Sequence, residues 1–486
     1  MSRMWMIVPA ITLFLCSCGG GGGGSSGPVA NSPPPPSPPP QALYGDASIL
    51  RAFSPLGTAS NGSELRPEHA AIADLNGDGF DDVVVHLVRD VDSLSAPGDV
   101  TPVVILLNNG AGELVPGSSI PSPLNGVPGT TPVIDGEAPS YFWVRQILIE
   151  DFNQDGQLDI FFENTGLEPQ GDPDLFPGEQ NGLWLSGTDG KLTDVSATHL
   201  PQYSDFTHGA SVADVDGDLD LDVWVNNLGA NGVPPYLMIN NGSGRFTAVA
   251  DLGFGDADDN GPNLGPNGRL PEVIRNGFLP FWSAFADVDS DGDEDLYLGY
   301  MSFDDGMTID NRAVLLLNDA TGVFSLAPAD AAPPPLWNSM GLVEDQTKND
   351  INSDGRVDLV LTVTENGLNP TGQEIQFLIN TGAGGFIDET ATRFPPQPDQ
   401  DFHVETWFAD LDGDGDDDFL AGTFAQREIY ENDGSGVFSL IDPTAFEFDW
   451  WFLPIDIDSD ERGMDFLHVQ GNTASELSFF VTKRNP

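Results

Sequence analysis

The chain has almost no cysteine. Its two, Cys16 and Cys18, fall within the first eighteen of 486 residues, so neither a disulfide framework nor a thiolate zinc site can hold the remainder together. Cations are scarce as well: 17 Lys plus Arg stand against 76 Asp plus Glu, a formal net charge of −59. Nucleic acid and anionic membrane surfaces require a basic footprint, which this composition excludes. Long hydrophobic runs are missing too, since the apolar stretch from Met4 to Leu15 is too short to span a bilayer. The material for a core is nevertheless present. Apolar residues make up 39% of the chain, with nine Trp and thirty Phe, too many for a disordered acidic polymer. So much like charge repels itself in a compact state, and a cationic partner is therefore expected among the carboxylates.

Residues 1–18 carry one basic residue, Arg3, and then a short apolar run, the pattern of a secretory signal. Their end, Leu15-Cys16-Ser17-Cys18, resembles a bacterial lipobox. Cys18 follows a small residue and is the expected lipidation site, whereas bulky Leu15 precedes Cys16. Residues 19–43 contain a six-Gly run and PPPPSPPP, which cannot offset the entropy of folding and reads as a disordered stalk. Residues 44–486 remain for the folded body. The resemblance implies an exported lipoprotein; Gly19 after Cys18 favours the outer membrane, facing either the periplasm or the cell surface.

One element recurs seven times along that body: ADLNGDGFDDVVV from Ala73, EDFNQDGQLDIFF from Glu150, ADVDGDLDLDVWV from Ala213, ADVDSDGDEDLYL from Ala286, NDINSDGRVDLVL from Asn349, ADLDGDGDDDFLA from Ala409 and, more loosely, IDIDSDERGMDFL from Ile455. A tight Asn/Gly or Asp/Gly turn follows each of the first six, as in LLNNGAGEL ending at Leu114 and YENDGSGVF ending at Phe438. Such turns tolerate the positive φ of a short hairpin. Strand, loop, strand and hairpin at intervals of 46 to 77 residues predict an all-β, seven-bladed β-propeller with four-stranded antiparallel blades. The last repeat lacks the second signature, so the strand-like stretch from Ala47 to Phe53 is expected to complete the last blade and close the ring.

Each element spaces its acids as D-x-[DN]-x-D-x-x-x-D. Side chains at positions one, three, five and nine, with the carbonyl of position seven, put hard oxygens around one point, a donor set that suits calcium. The candidate metal ligands are Asp74, Asn76, Asp78 and Asp82; Asp151, Asn153, Asp155 and Asp159; Asp214, Asp216, Asp218 and Asp222; Asp287, Asp289, Asp291 and Asp295; Asp350, Asn352, Asp354 and Asp358; Asp410, Asp412, Asp414 and Asp418; and Asp456, Asp458, Asp460 and Asp465. A Gly after position five lets the loop curl, but Leu219 replaces it in the third loop. The last loop has one extra residue before Asp465 and is expected to be the weakest or empty. An EF-hand is excluded, because its bidentate Glu at position twelve is replaced here by Val85 in a strand.

These repeats resemble the FG-GAP/VCBS family of integrin α-subunits and bacterial surface proteins, over roughly residues 45–486. The resemblance implies a seven-bladed propeller with one structural calcium per blade. Seven divalent ions would offset fourteen charges and leave −45 of the −59.

Candidates for catalysis are few. His69, His208 and His403 precede acidic loops by five to seven residues, and aromatics share their register: Tyr141, Phe142, Trp143, Phe281, Trp282, Trp337, Trp407, Trp450 and Trp451. Packing between blades accounts for most of these, and stacking platforms for sugar rings are the functional alternative. No catalytic residue is assigned. The sequence reads as a calcium-binding, surface-tethered module for adhesion or recognition of a glycan or protein. A calcium-containing propeller polysaccharide lyase is the alternative, although only three lysines, Lys191, Lys348 and Lys483, could help neutralise a uronate. Ligand identity, oligomeric state and occupancy of the third and last loops stay open.

Overall fold

The computed structural model describes residues 48–53, 65–89, 101–116, 140–141, 143–166, 178–187, 192–204, 206–227, 233, 235–249, 280–300, 313–328, 330–334, 341–365, 373–395, 403–423, 427–441, 452–457, 464–473 and 476–482. The expected signal, lipidation site and stalk lie outside the described residues, as do Asp458, Asp460, Phe142, Trp337, Trp450 and Trp451.

After β1 (Ser48–Phe53), the first sheet holds β2 (Leu65–Ala73), β3 (Asp82–Arg89), β4 (Thr101–Asn108), β5 (Leu114–Pro116) and β6 (Ser140–Tyr141). The second holds β7 (Val144–Glu150), β8 (Asp159–Asn164), β9 (Gly182–Ser186) and β10 (Leu192–Asp194), followed by the one-turn helix α1 (Ser196–His199). The third holds β11 (Thr207–Ala213), β12 (Asp222–Asn227), β13 (Tyr236–Ile239) and β14 (Thr247–Ala248), and the fourth β15 (Pro280–Ala286), β16 (Asp295–Tyr300), β17 (Ala313–Leu317) and β18 (Ser325–Leu326). The fifth holds β19 (Gly341–Asn349), β20 (Asp358–Glu365), β21 (Gln373–Asn380) and β22 (Phe386–Asp388), followed by α2 (Thr390–Arg393). The sixth holds β23 (His403–Ala409), β24 (Asp418–Thr423), β25 (Arg427–Asn432) and β26 (Phe438–Ile441). In the last, β27 (Phe452–Ile455), β28 (Asp465–Thr473) and β29 (Glu476–Thr482) are completed by β1, which pairs antiparallel with β29.

Six of these sheets are four-stranded antiparallel blades. The expectation of seven four-stranded blades is corrected to six, because the first sheet has five strands. Its β5 pairs only with Leu106 to Asn108, while Ser140 and Tyr141 pair with Pro102 and Thr101 at the other end of β4. A three-residue edge strand leaves half of its neighbour's edge open, and an open edge is a template for another strand.

The second strand of each sheet explains the packing. β8 and β12 are buried at every residue, so DIFFEN and DVWVNN are apolar on both faces rather than alternating, as expected for a strand covered on both sides. Apolar clusters fill the gaps between sheets. Val83, Val85 and Leu106 meet Leu453, Ile455 and Leu467 of the last sheet, and Val84 and Ile105 meet Ile160, Phe162 and Trp184. Further round, Phe161 meets Val223 and Met238, Trp224 meets Leu296 and Leu298, and Tyr297 meets Leu359 and Leu361. Phe377 meets Phe419, and Leu420 meets Phe466. Each sheet therefore packs on both neighbours and the ring closes as a β-propeller. Each fully buried Val, Leu or Phe contributes about 1.5–3 kcal/mol.

The innermost strands share one irregularity. Pairing with the second strand skips Glu68, Arg145, His208, Phe281, Glu344 and Val404 in turn. Each lies six residues before the first aspartate of its loop. A β-bulge is thus built into each of the first six repeats at the end of the strand away from the acidic loop, where it twists the strand.

Candidate metal centres

Each acidic loop joins the innermost strand to the second. In the first loop, Asp74 accepts the N–H groups of Asp78 at 3.0 Å and Gly79 at 2.8 Å, while Asn76 accepts Asp78 N–H at 2.9 Å. The second loop repeats this with Asp151 and Asn153 on Asp155 N–H at 3.1 and 2.9 Å, and Asp151 on Gly156 N–H at 2.8 Å. The curl needs left-handed backbone twice. Position six is Gly79, Gly156, Leu219, Gly292, Gly355 or Gly415, and position four is Gly77, Gln154, Gly217, Ser290, Ser353 or Gly413, all at positive φ. Leu219, lacking the expected glycine, still adopts φ +74 with its side chain 82% exposed. The third loop therefore keeps its shape and carries strain of about 1–2 kcal/mol.

The aspartate at position nine is buried and braces the loop. Asp82 accepts Leu75 N–H at 3.1 Å and Asn108 N–H at 2.7 Å. Asp222 accepts Val215 N–H at 3.2 Å and Asn240 N–H at 2.8 Å. Asp159, Asp295, Asp358 and Asp418 do the same with the second loop residue and the hairpin residue Ser186, Asn318, Asn380 or Asn432. With no cation beside them, burial pushes Asp82 up to about 8. It pushes Asp159, Asp222, Asp295, Asp358 and Asp418 up to about 7. Neighbouring loop carboxylates add to that rise, and the bonded N–H groups oppose it.

Positions one, three and five converge. Asp214, Asp216 and Asp218 offer oxygens within 4.8 Å of one another, as do Asp287, Asp289 and Asp291, and Asp410, Asp412 and Asp414. These three loops also carry an acid at position seven, Asp220, Asp293 or Asp416, where only a backbone carbonyl was expected. Asp220 Oδ1, Asp289 Oδ1, Asp293 Oδ2 and Asp416 Oδ1 are buried oxygens with no hydrogen-bond partner. Asp220 and Asp416 are pushed up to about 6, by burial first and then by neighbouring acids. Asp293 reaches about 6 through its hydrogen bond with Asp291 and then burial. Orphaned oxygens in an all-oxygen donor set fit a hard cation. The signal for position seven was in the sequence as strict D-x-D-x-D-x-D-x-D spacing, masked by assigning that position to its carbonyl.

The fifth loop differs. Arg356 at position seven ion-pairs with Asp354 and donates from Nε to Asn380 O at 3.2 Å, so a cation of the chain itself already sits on that loop. Of the last loop, Asp456 and buried Asp465 are described.

Among the described residues, the histidines and aromatics do not form a comparable centre. His69 is half-buried. His208 is buried, its ring 4.6 Å from that of Phe206 and 4.7 Å from that of Phe281. Burial, with Arg145 nearby, holds it well below the usual imidazole range. Strand β23 begins at His403 and β6 ends at Tyr141. Arg145 lies 4.9 Å over the Trp143 ring. Trp282 packs at the gap between the fourth and fifth sheets, and Trp407 against the last.

The family model of the FG-GAP-like repeat matches residues 350–421, covering the fifth and sixth loops and the strands between them. No curated protein matches the chain. Among solved structures, the chain is similar to an Agrocybe aegerita lectin described as recognising non-reducing terminal N-acetylglucosamine. That similarity has 17% identity and a TM-score of 0.44, over 78% of this chain and 79% of the other. It is similar to the exotype rhamnogalacturonan lyase YesX with 13% identity and a TM-score of 0.41, over 90% and 75%. It is also similar to the Dos1 propeller with 11% identity and a TM-score of 0.44, over 89% and 95%.

Proposed function

We propose that this protein is a ligand-recognition propeller whose acidic loops hold calcium as a structural ion, one per filled loop. The observation that carries the reading is the repeated pairing of a converging oxygen set with a buried, doubly bonded brace at position nine. Asp214, Asp216 and Asp218 would supply charge to the ion, and Asp222 ties that loop to its hairpin. Bound calcium supplies positive charge where the chain has concentrated negative charge, and that is the only chemistry assigned to it.

Recognition of a glycan or protein fits this better than catalysis, because the carboxylates are committed to bracing and to the cation. The same proposal places the body outside the cell on a lipid-anchored stalk, where millimolar calcium is available. Extracellular modules bind calcium at roughly 10⁻⁴–10⁻³ M, so a filled loop adds about 1.4 kcal/mol at the tight end of that range. The test is a glycan array run with calcium, with EGTA, and with an Asp289→Asn, Asp291→Asn variant. Calcium-dependent retention of a defined glycan class supports the reading; release of unsaturated products from uronate polymers would replace it with the lyase.

A further inference from the structure

The hairpin asparagines bond in two directions at once. Asn240 donates its backbone N–H to Asp222 of its own loop, and its Nδ2 donates at 2.8 Å to the carbonyl of Phe152 in the second sheet's loop. Asn318 joins Asp295 to the Val215 carbonyl of the third loop at 2.9 Å. Asn380 joins Asp358 to the Asp287 carbonyl of the fourth loop at 2.9 Å. Asn108 joins Asp82 to the Ile457 carbonyl of the last loop at 3.0 Å.

The carbonyls chosen lie among the candidate ligands. Phe152 falls between Asp151 and Asn153, Val215 between Asp214 and Asp216, and Asp287 is itself position one. The peptide N–H groups of Phe152 and Val215 in turn donate to the braces Asp159 and Asp222. A continuous path of hydrogen bonds therefore runs from the second loop to the fifth.

The path has two breaks. In the second sheet Ser186 takes the asparagine's place and its Oγ donates to Leu158 O of its own loop at 2.6 Å. In the sixth sheet Asn432 turns its Nδ2 to its own Asp417 carbonyl at 3.0 Å. The adjoining contacts are made instead by Arg393, whose Nη1 donates to Ser435 O and Gly436 O, and by Asn349, whose Nδ2 donates to Asp417 Oδ2 at 2.7 Å.

We propose that Asn240, Asn318 and Asn380 are positioning residues that couple the second to fifth loops, so that ordering one loop around a cation raises its neighbour's affinity. The proposal rests on the acidic loops being cation sites. Reciprocity follows from linkage: loop four must affect loop three as much as loop three affects loop four. The breaks predict that the first loop does not respond to the second.

The experiment follows backbone hydrogen exchange of each loop during a calcium titration of the full chain. Asp289→Asn with Asp291→Asn disables the fourth loop, and Asn318→Ser cuts the link with the residue that the second sheet carries naturally. Disabling the fourth loop is expected to raise the third loop's calcium midpoint at least threefold while leaving the first loop's unchanged. In the Asn318→Ser background that shift disappears. A third-loop midpoint that ignores the fourth, or a shift that survives Asn318→Ser, overturns the relay alone. Calcium protection at none of the loops would overturn the cation reading and the relay with it.

Discussion

The two ends of the blades solve different problems. At the acidic end, six loops repeat one hydrogen-bonding scheme almost atom for atom, with left-handed positions four and six and a buried brace at nine. At the bulge end, the residue skipped in the pairing changes from sheet to sheet: Glu68, Arg145, His208, Phe281, Glu344 or Val404. Buried Glu163 faces Gln146 across the strand pair. Asn226 instead donates to Ser283 Oγ at 2.8 Å and accepts from Trp224 Nε1 at 2.6 Å. Uniform chemistry marks a shared structural requirement, whereas the varied end is free to differ from repeat to repeat.

The largest expected effect sets the two ends against each other through pH. Without a cation, the position-nine carboxyls titrate at about 7 to 8, far above the ordinary carboxylate range. Their folded values are raised, so their stabilising contribution is complete below about pH 4 and is lost as pH rises through 7 to 8. In EGTA the melting temperature should fall by on the order of 10 °C between pH 5 and pH 8, and calcium should flatten the curve. A cation-free melt independent of pH would break the contrast.

Next in size is Asp222→Ala. It strands the N–H groups of Val215 and Asn240 in a buried site, so unfolding in urea should show a loss of about 2–6 kcal/mol. Glu163→Gln probes the opposite end. Burial holds that carboxyl well above the usual range, and its contribution is likewise lost as pH rises through the raised value. The amide should stabilise the protein at pH 8 and have less effect at pH 4, by urea titration at both values. The smallest effect belongs to Leu219→Gly, which relieves left-handed strain and should add about 0.5–1 kcal/mol; destabilisation would show that the leucine has a packing role.

Much of the acidic end was legible in the sequence, because loop spacing and hairpin turns are local. The pairing of β1 with β29 was legible too, since the last repeat visibly lacked a strand. Position four was not: Gln154, Ser290 and Ser353 give no hint of positive φ, and the loop imposes it on them. The bulges arise from cross-strand register, which no single strand records. The fifth strand of the first sheet depends on how short β5 turns out to be. The brace role of position nine was hidden because an aspartate that ligates and one that accepts two N–H groups look alike in sequence.

The central claim is that the acidic loops hold divalent cations. Metal content and thermal unfolding of the same purified, untagged chain test it most directly, after dialysis against calcium and after EGTA. The account predicts several calcium ions per folded chain and a marked drop in melting temperature on their removal. A metal-free chain that is equally compact and melts at the same temperature would contradict it.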